Sequence, residues 1–191
     1  MRGDSPEASP EVSPDGEDGP SRTVFIIALA LSLAAVGIVL AIAATRHTPA
    51  APVAIAAVPA PQADSTECRS LMATLPGELG GYTRAVAADP VPAGAAAWRG
   101  VSGGTAGESV IMRCGLDRPA EFVVGSPLQM VDDVQWLRLD DPDTRRSTWV
   151  SVDRPVYVAL TLPAGSGPGP IQALSGVIDR TMPAMPIRPA R

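Results

Sequence analysis

Thr23 to Ala44 is a run of 22 residues without a charge, and it constrains every other reading of the chain. Nineteen of the 22 are apolar, with Thr23, Ser32 and Gly37 as the exceptions. Rising 1.5 Å per residue as a helix, the run spans ~33 Å and matches a hydrocarbon core of ~30 Å. A secretory signal has an apolar core of only ~7–15 residues behind a short basic leader. Here the leader is long and acidic, so the run predicts a retained single-pass transmembrane helix over 23–44. Ala41-Ile42-Ala43 also meets the small-x-small pattern of a cleavage site, which keeps cleavage as the alternative. No cysteine follows the run directly, which excludes a bacterial lipoprotein anchor.

Charge decides orientation weakly, since Arg2 and Arg22 precede the helix and Arg46 follows it. The cysteines decide it better. Cys68 and Cys114 are the only two in the chain, and both follow the helix. An even pair there suits an oxidising compartment. The expected topology places the N-terminus in the cytoplasm and the C-terminal domain outside, at the cell membrane.

Residues 1–22 carry six acids against Arg2 and Arg22 and hold no aromatic residue. Such a segment buries too little apolar surface to offset its ordering entropy and is expected to be a disordered acidic tail. Its Ser-Pro repeat (Ser5-Pro6, Ser9-Pro10, Ser13-Pro14) favours extended backbone. Residues 45–64, dominated by Ala and Pro, read as a semi-extended linker. Residues 183–191, with three prolines, read as a loose tail. The folded part is expected over 65–182.

Within 65–182 the periodicities give an α+β fold, a small antiparallel sheet packed by an N-terminal and a C-terminal helix. Asp64 and Glu67 suggest a capping box opening a helix that Pro76 stops after Leu75. Glu108–Cys114, Leu128–Val131, Val134–Leu139, Trp149–Val152 and Val156–Leu162 alternate as strands. Asp132-Asp133 forms a two-residue hairpin turn. Pro170–Thr181 carries Ile171, Leu174, Val177 and Ile178 at helical spacing. A Cys68–Cys114 disulfide would tie the first helix to the first central strand.

Composition excludes several chemistries. Lys is absent and His47 is the single His, so no P-loop, Schiff-base lysine or multi-His metal site exists. His47 lies three residues past the apolar run, a poor place for a catalytic base. A net charge of −5 argues against nucleic acid as a partner. The Gly-rich stretch Gly100–Gly107 precedes a strand, whereas phosphate loops open a helix. No cofactor and no catalytic residue is expected. Asp132-Asp133 and Asp140-Asp141-x-Asp143 read as solvated turns, with a cation site at Asp140, Asp141 and Asp143 as the weaker alternative. Trp136, Trp149 and Tyr157 default to core packing. The alternative is a ligand surface of Trp136, Trp149 and Tyr157 framed by Arg113, Arg138 and Arg154.

Several strings together resemble the domain of unknown function 3515 family. They are Cys68-x-x-Leu71-x-x-x-Leu75-Pro76, Val110-Ile111-Met112-Arg113-Cys114-Gly115 with Pro119, Val131 to Leu137, Trp149, and Val152 to Val158. The resemblance implies a small membrane-anchored or secreted actinobacterial protein with a paired-Cys domain, and it implies no activity. Two departures stand out: Trp98-Arg99-Gly100 opens a longer Gly-rich insertion than the family's Trp-Gly, and Asp133 stands where the family's turn has Gly. The function expected is a non-catalytic binding or accessory module of the cell envelope, anchored to the membrane through 23–44, with an envelope protein or glycan as partner. The alternative is a carboxylate- or cation-dependent envelope hydrolase.

Overall fold

The computed structural model describes residues 22–45, 50–101 and 108–191. The acidic tail before Arg22, His47 and the centre of the Gly-rich stretch lie outside the described residues. The chain divides into two units, 1–50 and 51–191.

The first unit contributes α1 (Arg22–Thr45), long and apolar enough to cross a membrane. Its large apolar side chains stand exposed from Val24 to Ile42. Ser32 donates from Oγ to the Ala28 carbonyl at 2.8 Å, so the polar hydroxyl is satisfied within its own helix.

The second unit is α+β. Its elements are α2 (Thr66–Thr74), β1 (Glu78–Leu79), β2 (Tyr82–Ala85), β3 (Ala95–Gly100), β4 (Ser109–Leu116), β5 (Leu128–Val131), β6 (Val134–Asp141), β7 (Arg146–Ser151), β8 (Tyr157–Pro163) and α3 (Gly169–Thr181). All eight strands form one antiparallel sheet in the order β1-β2-β3-β4-β8-β7-β6-β5. The 117–127 crossover carries the chain from β4 to the far edge, and the rest returns as a meander.

Helix α2 starts one residue later than expected. Ser65, rather than Asp64, caps it, its Oγ accepting the Cys68 N–H at 3.2 Å. Cys68 and Leu71 point into the core, and α2 and α3 pack on each other over one sheet face. That face holds the main core, with Trp98, Met112, Trp136, Leu160, Leu174 and Ile178 among its buried side chains. Buried indoles need a partner for their N–H. Trp98 Nε1 finds the Pro76 carbonyl at 3.0 Å and Trp136 Nε1 the Ser175 hydroxyl at 3.0 Å. Cys68 and Cys114 are bonded, Cα–Cα 5.7 Å, across this core.

Strands β1, β2 and β3 were not expected from the sequence. The segment read as a linker is also partly built in. Val53 bridges Ala87 in parallel, and Val53 and Ile55 bury against Ala95 and Ala97 on the second face of the sheet. The C-terminal tail is pinned too. Met185 N–H bonds the Asp153 carbonyl at 2.8 Å, and Ala190 bridges Val123.

Gly115 sits in a β-bulge between Cys114 and Leu116 with φ +86. A Cβ there would overlap backbone atoms of Gln62 and Ala63. Gly115→Ala is therefore expected to destabilise the fold by about 1–3 kcal/mol, read as a lower guanidinium midpoint.

Candidate functional site

A cleft of about 520 Å³ lies on the helix-covered face. Strand register explains its floor. Trp149 on β7 stands opposite Leu160 on β8 and Arg138 on β6, so all three share the face that α3 covers. Helix α3 overlies Trp136, leaving the outer side of Trp149 half exposed. The walls are Gln129 and Val131 of edge strand β5, Ile171 and Gln172 of α3, and the Pro163–Pro168 loop between β8 and α3.

The cleft joins an apolar floor to a polar rim. Arg138 lies over the Trp149 ring at 5.4 Å from its centroid, a cation–π contact. Trp149 Nε1 donates to Ser147 Oγ at 3.2 Å, which fixes the indole plane. Arg138 also donates from Nε to Asp140 Oδ1 at 2.8 Å. Both partners of that ion pair are well exposed, so it adds little stability, and its effect is to hold the guanidinium in place. Across the loop, Tyr82 and Ser166 share a hydroxyl bond of 2.9 Å, and Ser166 Oγ also lies 2.7 Å from the Pro163 carbonyl. These contacts tie the loop to the sheet.

The structure does not gather the expected surface residues into one site. Trp136 is fully buried under α3, with its Nε1 bonded to the Ser175 hydroxyl. Arg154 is likewise interior. Its side chain pairs with Asp153 Oδ2 at 3.1 Å and Asp179 Oδ1 at 3.2 Å and bonds the Asp133 carbonyl at 2.7 Å. Burial pushes the Asp153 carboxyl up from its ordinary value, against the Gln135 N–H and the Arg154 charge, which pull it down. Tyr157 lies on the second sheet face beside Phe122, Leu137 and Val152. Arg113 shares that face and donates to the Ala56 carbonyl at 3.1 Å. Trp149 alone of the three expected aromatics opens into the cleft.

The Asp140-Asp141-x-Asp143 cluster forms the β6–β7 turn. The Thr144 side chain and then the Thr144 N–H, with a smaller share from the Asp143 N–H, hold the Asp141 carboxyl below the usual range; its Oδ1 accepts the N–H groups of Asp143 and Thr144 at 3.0 and 3.2 Å, and Asp140 is paired with Arg138. No group of three or more metal-ligating side chains occurs among the described residues. The sequence reading missed the Pro163-Ala164-Gly165-Ser166-Gly167-Pro168 wall. Its signal was present, a Gly/Pro/Ser loop joining a strand end to a helix start.

Fold and cleft together define a small disulfide-bonded α+β domain with one aromatic-floored cleft, in a chain that also carries a helix of membrane-spanning length. The chain belongs to the family described as Protein of unknown function (DUF3515), whose model matches residues 28–187. No curated protein and no solved structure matches it.

Proposed function

We propose that this is a single-pass membrane protein with the tail of residues 1–22 in the cytoplasm and the α+β domain outside, acting as a non-catalytic binding module of the cell envelope. The apolar length of α1 supports the anchor, and the Cys68–Cys114 bond supports an oxidising compartment for the domain. The observation that carries the binding role is the cleft in which Arg138 and Trp149 form a stacked pair beside Gln129, Ser147 and Gln172. A flat indole with amide and hydroxyl groups around it suits a ligand with one CH-rich face and a hydrogen-bonding edge, such as a sugar ring or an extended peptide. Asp132 is the only carboxylate on the lining, so paired-acid hydrolysis gains no support from this cleft.

The test is proximity labelling from the C-terminal domain in living cells, compared between the parent and Trp149→Ala. The variant is expected to lose the labelled envelope component while keeping the unfolding free energy within about 1–2 kcal/mol of the parent, since Trp149 is only half buried. Unchanged labelling in the variant overturns the cleft. A cytoplasmic labelling pattern overturns the topology.

A further inference from the structure

The second face of the sheet carries three arginines. They are Arg99 on β3, Arg113 on β4 and Arg146 on β7, on the same face as Ile111, Thr148 and Thr161. Arg99 stands opposite Ser109 in the ladder, and Arg146 reaches across β8 to donate from Nη2 to the Ser109 carbonyl at 2.6 Å. Arg99 and Arg113 each donate from Nη2 to the strand-like segment crossing this face, at the carbonyls of Ala51 and Ala56. A guanidinium has five N–H donors, and these are the only hydrogen bonds the three groups make among the described residues.

None of the three is in an ion pair among the described residues, where the pairs are Arg138–Asp140, Arg154–Asp153 and Arg154–Asp179. Asp141 is opposite Arg146 in register, but its carboxylate accepts the turn N–H groups of Asp143 and Thr144. The Nε atoms of Arg99 and Arg113 are buried with no acceptor. Burial, and then the charge of Arg146, hold the Arg113 guanidinium below its ordinary pKa. Bulk charge does not account for this, because residues 51–191 hold fourteen acids and twelve arginines. Like charges on one face with no ion-pair partner among the described residues repel, and an anion laid against them lowers that cost.

We propose that Arg99, Arg113 and Arg146 form a binding strip for the phosphate groups of an anionic phospholipid surface. Guanidinium forks match phosphate oxygens in geometry as well as charge. Lipid is favoured as the source because the groups are spread over three strands of one sheet face, Arg99 and Arg146 at one level and Arg113 four residues along β4, rather than converging on one point. In addition, Ala51, held by Arg99, follows Thr45 at the end of α1 by only six positions. Juxtamembrane arginines gain from the negative potential of such a surface. The proposal rests on the membrane-anchored reading, whose failure would show separately as a chain that does not insert into nanodiscs.

The experiment uses the full chain in nanodiscs of phosphatidylcholine, with or without phosphatidylglycerol, and follows the arginine Nε–H signals by NMR. Phosphatidylglycerol is expected to shift the Arg99, Arg113 and Arg146 signals, and high salt to reverse the shifts. Arg146→Gln, which leaves the hold on Ala51 and Ala56 intact and gives up only the bond to the Ser109 carbonyl, is expected to abolish the Arg113 shift with only a small fall in unfolding temperature. Identical spectra in the two lipids overturn the proposal. So does a shift produced by inorganic phosphate in neutral discs with none from phosphatidylglycerol, which would assign the strip to a soluble anion.

Discussion

Replacing Arg154 by Ala is expected to destabilise the domain by about 3–5 kcal/mol, the cost of breaking a buried ion pair from one side. The Arg154 side chain is fully buried and the Asp153 side chain nearly so. Asp153 Oδ1 already has no partner, so its charge is held by Arg154 and by the Gln135 N–H on Oδ2. Asp179 is half exposed and is rehydrated when Arg154 goes; Asp153 is not. The deficit should depend on pH with a definite sign. Burial already raises the Asp153 pKa, and removing the adjacent cation raises it further. A carboxyl whose folded pKa exceeds its unfolded value favours the native state when protonated, and that contribution is lost as pH rises from the unfolded pKa through the folded one. Arg154→Ala should therefore be least impaired below the ordinary carboxylate range and most impaired at neutral pH. Guanidinium midpoints measured across that range check this. Asp153→Asn combined with Arg154→Met should restore much of the loss, since it removes the orphaned charge and refills the volume. If the single and double variants lose equal stability at every pH, packing and not charge explains the site.

That pair also shows where sequence reasoning stopped. Asp153-Arg154-Pro155 reads as the connection between two strands and Arg154 as the frame of a ligand surface, because charged residues are rarely fully buried. Only the fold places the C-terminal end of α3 and the Met185 backbone over it. Where one sheet face is covered and the other partly wet, alternation was readable, as in β8, with Val158, Leu160 and Leu162 inward and Tyr157 and Thr161 outward. In β3 the signal vanishes. Ala95, Ala96, Ala97 and Trp98 are all buried, because Val53 and Ile55 cover one face while the helices cover the other. Three alanines carry little strand propensity, so neither period nor propensity marked the strand. The Ala/Pro composition before residue 65 suggests extended chain, and extended chain with Val53 and Ile55 at alternate positions also serves as a cover for a sheet. The cleft was half legible for a similar reason. Trp136 and Trp149 occupy the same face at similar distances from their strand ends, and which one opens to solvent is decided by where α3 lies.

Loss of the Cys68–Cys114 bond is expected to lower stability by about 4 kcal/mol, from the entropy of opening a 46-residue loop in the unfolded chain. For a unit of this size that corresponds to a fall of about 10–20 °C in Tm. The native state should also respond unevenly. Helix α2 has nine residues and buries only Cys68 and Leu71, with Met72 and Leu75 partly covered, so the bond is a large share of what holds it to the sheet. Reduction should expose α2 amides to hydrogen exchange first, while β4, β7 and β8 at the sheet centre stay protected to near the global limit. A Cys68→Ala, Cys114→Ala variant should behave alike but fall further, because each truncation also leaves a cavity in a core where both sulfurs are fully buried. Reduced protein with α2 exchange unchanged would show that packing alone positions the helix. With a typical domain stability of about 5–15 kcal/mol, a loss of this size leaves a reduced chain marginal. The domain should then reach full stability only where its cysteines oxidise.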